Sequence, residues 1–361
     1  MQCSHCQHQI EDPEALFCAQ CGHSLCRAGH CHQCGKRLQQ NANFCDRCGT
    51  PVRDHSAPSS TATTQPTNLT LHHIAPLKGI IEAEVQHHVA AAQVKRSQER
   101  AAQKEKARQA RLLKCGLNES DWIDISGGTF LMGSPADEKD RFENERQHEV
   151  TVDSFEILKT PVTFEMFDIF CDDVRRSRPP DETWGRGNRP VINITYWTAM
   201  DYCDWLSQRT DANIRLPTEA EWEYACRAGT TGPFWTGDNI SPEQANFDGN
   251  YTYGGSEKGP SRGQTTPVNL FPPNPWGLHD MHGNVWEWCA SVYDDAYSGL
   301  ELLDAGYKED DRRERVVRGG SWHNVPSGLR SAARNKLVPS YHYLRVGFRI
   351  ARDVKRHEQQ D

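Results

Sequence analysis

The clearest hydrophobic periodicity in the chain lies between residues 79 and 113. Its apolar positions recur at three- and four-residue intervals, as they do on one face of an α-helix: Ile80, Ile81, Val85, Val89 and Ala92. From Lys95 onward Gln, Ala, Lys and Arg predominate and the apolar face fades. The pattern therefore predicts a spacer helix over residues 79–114, with a largely solvated second half.

Residues 118–352 show a different pattern, in which short apolar runs are interrupted by Gly, Pro and Asn. Helices are predicted over 164–174, 196–208 and 219–227. Each begins after a threonine, whose hydroxyl can accept a hydrogen bond from the first turn. At the third helix Thr218 and Glu221 have the spacing of a capping box.

Composition divides the rest of the chain. Residues 55–78 begin with a stretch rich in Ser, Thr, Pro and Ala, which predicts a flexible linker. The predicted organisation is therefore an N-terminal segment 1–54, the linker, the helix 79–114 and a main domain 118–352.

Charge is distributed unevenly along these parts. Residues 95–114 hold eight basic and two acidic side chains, a net of +6, whereas the whole chain carries −8. The helix is interpreted either as a solvated spacer, which is favoured, or as a basic docking surface for nucleic acid or anionic lipid. The acidic main domain argues against nucleic acid as its own ligand.

The N-terminal segment has a repeated cysteine pattern. Four C-x2-C pairs form two sets of two. The pairs are separated by eleven residues in the first set and by ten in the second, and each set supplies one tetrahedral thiolate site. The predicted ligands are Cys3, Cys6, Cys18 and Cys21 for one zinc ion and Cys31, Cys34, Cys45 and Cys48 for the other. The segment has almost no core of its own, so metal binding must supply its folding energy. A ligand exchange with Cys26, His23, His30 or His32 is an open alternative. The segment resembles double zinc ribbons.

The N-terminus shows neither a basic region nor an apolar run of the kind found in signal peptides, and no stretch is long enough to span a membrane. A cytoplasmic location is therefore expected, where thiols stay reduced. The fourteen cysteines then indicate metal ligands and free thiols rather than a disulfide framework.

Six motifs follow one another through residues 118–352. They are GGTFLMGS at 127–134, PVT at 161–163, RLPTEAEWEYA at 215–225, WGLHDMHGNVWEW at 276–288, RGGSW at 318–322 and GFR at 347–349. This series resembles the formylglycine-generating enzyme, or sulfatase-modifying factor, family, as found in bacteria. The resemblance implies an irregular α+β fold of the C-type-lectin-like kind, in which the tryptophans act as core fillers.

The resemblance also identifies the two positions at which oxidising members of the family carry their copper-binding cysteines. Oxidising members of the family bind copper(I) through two cysteines five residues apart, and soft thiolates suit that ion. The corresponding positions here are Asn324 and Leu329, so copper-dependent formylglycine formation is not expected. Cys203 and Cys226 match family disulfide positions without their partners and are expected to be free thiols.

Iron is not expected either. The ergothioneine branch of the family binds iron through an H-x3-H-x-E set in an extra N-terminal domain, and residues 1–117 contain no such motif. The adjacent pairs His72-His73 and His87-His88 lack the spacing to share one metal and are interpreted as solvated.

Of the metal sites that the resemblance implies, the calcium site is the one whose binding residues are partly present. The resemblance implies a site built from Asp280, Gly283, Val285 and Glu287, with oxygen ligands from alternating loop positions. The alternative is that Asp280 and Glu287 only hydrogen-bond the loop. A second family site beginning at Asn246 lacks its later aspartate.

In the family, the region after the Gly-Gly-Ser motif lines a ligand groove. The resemblance places these residues there: Trp322, His323, Asn324, Ser327, Tyr341, His342 and Tyr343. Tyr, His, Asn and Ser on a rigid scaffold are typical of recognition surfaces. His323 and Ser321 are weak catalytic candidates.

Two functions are therefore considered. The first is a recognition module for a protein or small ligand, with the zinc ribbons as an adaptor to a protein partner. It could be a diversified target protein of a bacterial retroelement, varied over 323–345. The second is a cysteine-independent modifying enzyme of the sulfatase-modifying or pyoverdine-maturation type.

Overall fold

The computed structural model describes residues 75–354 apart from 305 and 307–311, with side chains described from residue 86 onward. The eight predicted zinc ligands and the predicted linker up to residue 74 lie outside the described residues. The chain divides into two compact units, Met1–Glu84 and Val85–Asp361. The fold and the candidate site belong to the second unit.

Four helices are present among the described residues: α1 (Ala75–Lys114), α2 (Phe164–Val174), α3 (Tyr196–Thr210) and α4 (Glu219–Arg227). The helix predicted over 79–114 therefore begins four residues earlier, at Ala75. Every residue from 86 to 104 is exposed, as expected for a solvated helix, and the role of this helix as a spacer or a docking surface stays a prediction. Thr163, Thr195 and Thr218 each accept a hydrogen bond at their helix N-terminus, and the predicted capping box of Thr218 and Glu221 is confirmed.

In the part of the chain that the structure describes, ten short strands form three sheets. The strands are β1 (Trp122–Ile125), β2 (Gly128–Met132), β3 (His148–Val152), β4 (Phe155–Leu158), β5 (Ile214–Arg215), β6 (Trp286–Val292), β7 (Arg315–Arg318), β8 (Arg334–Leu337), β9 (Val346–Phe348) and β10 (Ala351–Asp353). One sheet has the order β1-β4-β10-β5, the second is the β2-β3 hairpin, and the third has the order β8-β7-β6-β9. Only the β6–β9 pairing among these is parallel. The α+β class and the short, irregular elements agree with the sequence prediction.

The main apolar core is strongly aromatic. Phe167 of α2 and Tyr202 of α3 stack with ring centroids 5.5 Å apart, and Phe348 of β9 meets both rings edge-on. Trp288 of β6 is fully buried in the same cluster. Large rings fill the space that short strands and helices leave open, and they fix β6 and the chain that follows it.

A second buried cluster of the main domain consists of charged side chains. Glu287, Arg318 and Arg334 lie side by side across β6, β7 and β8, so their side chains point to one face of the sheet. Helix α4 covers that face with Glu219 and Glu223, which bind Arg318 and Arg334. All five side chains are at most 5% exposed. This buried ion-pair cluster was not predicted from the sequence.

Among the described residues, no helix combines the length and hydropathy needed to cross a bilayer.

Candidate functional site

The Gly-Gly-Ser motif builds a tight loop after β7. Gly319 and Gly320 have φ values of +95° and +76°, and a Cβ at Gly320 would lie 2.8 Å from the carbonyl oxygen of Gly328. Only glycine allows this backbone and this close approach without strain. The loop places Ser321 inside the domain and residues 322–329 next to it.

Asn324 stands at one implied copper position and closes this loop. Its Oδ1 accepts hydrogen bonds from the Ser321 backbone N–H at 3.1 Å and from the Ser321 hydroxyl at 2.7 Å. Ser321 is fully buried. The weak catalytic candidate Ser321 is therefore held by Asn324, and both side chains act within the loop in this arrangement.

Leu329 stands at the other implied copper position and is a core residue. It is 0% exposed and packs with Phe234, Phe247 and Tyr253. A short 3-10 helix, Pro326–Leu329, carries its side chain inward. A hydrocarbon side chain cannot ligate a soft metal ion, so the residues present here do not fit the copper of the oxidising relatives.

Aromatic side chains and one arginine cluster beside this loop, in a group that we call the aromatic patch: Trp184, Trp322, Tyr341, Tyr343 and Arg345. Tyr341 is exposed, the other tyrosine, Trp184 and the arginine are partly buried, and Trp322 is buried, with 9% of its surface exposed. Trp184 and Trp322 meet edge-on at 5.4 Å, and Tyr341 and Tyr343 are tilted at 5.7 Å. The Arg345 guanidinium lies over both Trp322, at 5.5 Å, and Tyr343, at 5.1 Å. Three of the five residues were predicted by number from the sequence, Arg345 lies within the predicted stretch 323–345, and Trp184 was missed.

The other predicted groove residues lie around this patch. His323 is exposed, and its ring meets that of Trp322 at 5.3 Å. His342 is exposed between the two tyrosines of the patch. Ser327 is partly buried, and its carbonyl oxygen accepts a hydrogen bond from Arg330 at 2.9 Å. The positions of these residues are compatible with a binding surface, and their roles stay predictions.

A cavity of about 470 Å³ opens on the loop. Its polar lining includes Asn144, Asn324, Asn335 and Asp295, and its apolar lining includes Phe142 and Trp286. Amide and carboxylate groups over an aromatic floor can accept and donate hydrogen bonds to a small polar ligand. Asn324 thus borders this cavity at one of the two positions for which the resemblance implies a copper ligand.

The predicted calcium residues are buried and already hydrogen-bonded. Both carboxylate oxygens of Glu287 lie 2.9 Å from the Arg349 guanidinium, and one also accepts from the Trp222 indole at 2.8 Å. Asp280 accepts from the Asn269 backbone N–H and from the Asn284 side chain. In this arrangement Glu287 does not fit a cation ligand, because calcium would have to displace Arg349. These contacts match the alternative in which both acids fasten the loop.

The described residues form no further candidate metal site. In residues 75–354, apart from the short gap near 305–311, no group of three or more His, Cys, Asp and Glu side chains is placed to hold an ion.

The thiols of the described residues are free and buried. They are Cys115, Cys171, Cys203, Cys226 and Cys289. The predicted state of Cys203 and Cys226 is therefore confirmed. Burial raises the pKa of Cys226 to about 12, so its thiol stays protonated and unreactive near neutral pH.

Replacement of Asp280 by asparagine should change how stability depends on pH. Burial raises the pKa of Asp280 to about 6 from an ordinary value of 3.8, even though the Asn269 N–H bond and Arg349 lower it. A carboxyl group whose pKa is raised in the folded state stabilises the protein at pH values below its pKa in the unfolded chain. This contribution is lost as the pH rises through 6. The shift corresponds to about 3 kcal/mol. We therefore expect the stability of Asp280→Asn relative to the wild type to rise by that order between pH 4 and pH 7.

Urea unfolding at several pH values measures this difference, and the exposed Asp137→Asn variant controls for a lost carboxylate. A pH-independent difference for Asp280→Asn would contradict the expectation. The same experiment with added calcium chloride tests the calcium prediction. Calcium bound at Asp280 would hold the carboxylate ionised, stabilise the wild type above pH 6 and leave Asp280→Asn less affected.

Comparisons with known proteins agree with this fold. Residues 110–354 match the family described as Sulfatase-modifying factor enzyme 1-like domain, and residues 3–49 match the family described as Double zinc ribbon. The chain therefore belongs to the sulfatase-modifying factor family and carries an N-terminal double zinc ribbon domain.

Three similar proteins show the range of the family. Over 65% of its length the chain is 31% identical to a serine/threonine-protein kinase pkn1 of Chlamydia caviae, and the match spans 38% of that protein. It is 30% identical to an inactive Cα-formylglycine-generating enzyme 2 of Mus musculus, again over 65% of the chain and over 86% of that relative. The structure of PvdO from Pseudomonas aeruginosa shares 31% identity with a TM-score of 0.53, covering 64% of this chain and 94% of PvdO. The chain thus spans about two fifths of the kinase-named relatives.

Proposed function

We propose that this protein recognises a protein or small ligand through the aromatic patch and does not perform the copper-dependent oxidation of its family. The proposal rests on which residues occupy the two implied copper positions and what these residues contact. Asn324 closes a loop and Leu329 fills a core, while tyrosine and arginine side chains lie at the surface beside them and pack against the buried tryptophan. Those three residue types dominate the energetics of protein interfaces.

In this proposal the N-terminal double zinc ribbon is an adaptor. Eight thiolates, Cys3 to Cys48, would hold two structural zinc ions and leave no open ligand position for chemistry. The folded ribbon would then bind a protein partner, while the main domain binds its ligand. The five free buried thiols of the described residues suit a reducing compartment such as the cytoplasm.

A binding experiment tests the role of the patch. A random peptide library displayed on phage is selected against the full chain, and affinities of enriched peptides are measured by fluorescence polarisation. Tyr341→Ala, which removes an exposed ring, should weaken binding about tenfold. Trp322→Ala, which removes the buried ring on which Arg345 packs, should weaken it about 30-fold. Leu131→Ala, an exposed apolar residue on β2, is the matched control. Unchanged affinity in both patch variants would refute the role of this surface.

The alternative is a cysteine-independent modifying enzyme with His323 as general base. It is favoured by the exposure of His323 beside Trp322 and by the polar cavity that Asn324 borders. Turnover that is lost in His323→Ala while peptide binding persists would support this alternative. The retroelement version of the recognition function requires a near-copy of the coding sequence for 323–345, differing at adenines, beside a reverse transcriptase gene.

A further inference from the structure

The aromatic patch contains an arginine without a counter-charge. Arg318, Arg330, Arg334, Arg349 and Arg352 each bind at least one carboxylate. In the described part of the chain, no ion pair or hydrogen bond engages the guanidinium of Arg345. Its Nε is shielded from solvent and has no acceptor there. Arg345 therefore differs from these five arginines, because its guanidinium is contacted by ring faces alone.

The acidic residues on adjoining loops are engaged elsewhere. Glu182 accepts a hydrogen bond from the Asn193 side chain at 2.7 Å, and Asp248 accepts from the Asn250 backbone and side chain. Neither carboxylate lies within 4.0 Å of a nitrogen of Arg345. The positive charge of Arg345 is thus left uncompensated at a surface where it is only partly exposed.

Such an arrangement is costly for the free protein. The Nε–H of Arg345 is shielded from solvent without an acceptor, so it loses a water contact that the ring neighbours replace only in part. Trp322 and Tyr343 also hold the planar group in one orientation, so little conformational freedom remains to be lost when a ligand binds. A carboxylate can meet the guanidinium with two parallel hydrogen bonds.

Resting on the proposed recognition function, we infer that Arg345 is the anion-binding residue of the aromatic patch and that the ligand is a peptide segment bearing a carboxylate. The carboxylate pairs with the guanidinium, and apolar or aromatic groups beside it pack on Tyr341 and Tyr343. The patch thereby selects acidic segments over neutral or basic ones. Inorganic or peptide-bound phosphate shares the charge and serves as the competing outcome of the test.

The first test uses the wild-type full chain and a simple carboxylate. Arginine Nε–H signals are recorded by NMR while sodium benzoate is added, and the Arg345 signal is assigned by its loss in Arg345→Lys. Benzoate should shift this signal with saturation at millimolar concentrations, and the neutral isostere benzamide should shift it at least tenfold less. A stationary Arg345 signal, an equal response to benzamide, or saturation by phosphate with none by benzoate would each overturn the inference.

A second test uses peptides enriched on the full chain. Changing the acidic residue of a binding peptide to its amide should weaken binding about tenfold to the wild type and little to Arg345→Gln. Arg96→Gln, an exposed arginine on α1, is the charge-matched control and should behave as the wild type. Peptides that depend on Trp322 but not on their own carboxylate would leave the proposed function standing and overturn the role of Arg345.

Discussion

Replacement of Glu219 by glutamine should lower the free energy of unfolding of the main domain by about 3–5 kcal/mol, the usual cost of breaking a buried ion pair from one side. Glu219 is 0% exposed, and its carboxylate accepts from Arg334 at 2.8 and 2.6 Å and from Arg318 at 3.3 Å. Glutamine keeps the shape and removes the charge. Arg334 would then lose the carboxylate that it binds, and Arg318 would keep only that of Glu223, which Arg227 also binds.

Urea unfolding followed by tryptophan fluorescence measures this loss, because all ten tryptophans lie between Trp122 and Trp322. Glu165→Gln is the matched control. Glu165 is an exposed acidic residue in the first turn of α2, just as Glu219 is in the first turn of α4. The control should lose only the helix-dipole contribution, about 0.3–1 kcal/mol. Equal losses in the two variants would show that the buried ion pairs contribute little.

A double variant separates charge from packing. Arg334→Met removes one of the two cations that Glu219 binds and keeps an apolar stem of similar length. In Glu219→Gln/Arg334→Met we expect part of the lost stability to return, because one uncompensated buried charge has been removed. If the two losses simply add, the damage in Glu219→Gln arises from packing and not from the unpaired charge.

The helices of the main domain could be predicted because their signals are local. Thr163 and Thr218 mark helix starts by a hydroxyl within three residues of the N–H group it binds. The predicted α2 and α4 have the observed bounds. Helix α3 continues to Thr210, two residues beyond the prediction, and ends where Asp211 adopts a left-handed conformation. No glycine follows Thr210 to mark that C-terminus, so the local signal for the end of the helix is weak.

The charged core could not be predicted in the same way. Glu219 and Arg334 are 115 residues apart, and Glu145 and Arg330 are 185 apart. Composition and periodicity place Arg and Glu on the surface by default. Only the register of β6, β7 and β8 turns Arg318 and Arg334 toward α4, and no local pattern encodes that register.

The aromatic patch was predicted only in part, because its members come from distant parts of the sequence. Trp322, Tyr341 and Tyr343 lie on one stretch of chain that the family resemblance identifies as a groove. Trp184 comes from a loop after α2 and reaches Trp322 across 138 residues of sequence. Arg345 was within the predicted stretch, but its lack of a carboxylate partner is visible only when the surrounding acids have been placed.

The largest effect outside the main domain is expected from the zinc ligands. Purified protein should contain about two zinc ions per chain, each contributing on the order of 10 kcal/mol of binding free energy to the folding of residues 1–54. Cys18→Ser should reduce the zinc content to about one, because serine does not replace a soft thiolate ligand. Elemental analysis gives the stoichiometry, and limited proteolysis reports the loss of N-terminal structure.

Cys26→Ser is the matched control, since Cys26 lies between the two predicted ligand sets. It should retain both zinc ions; loss of one would assign Cys26 as a ligand and overturn the predicted set. A chelator should make residues 1–54 sensitive to protease while tryptophan fluorescence stays unchanged, because that segment contains no tryptophan. This separation matters for function: the ribbon can then gain or lose its fold with zinc supply while the aromatic patch of the main domain stays formed.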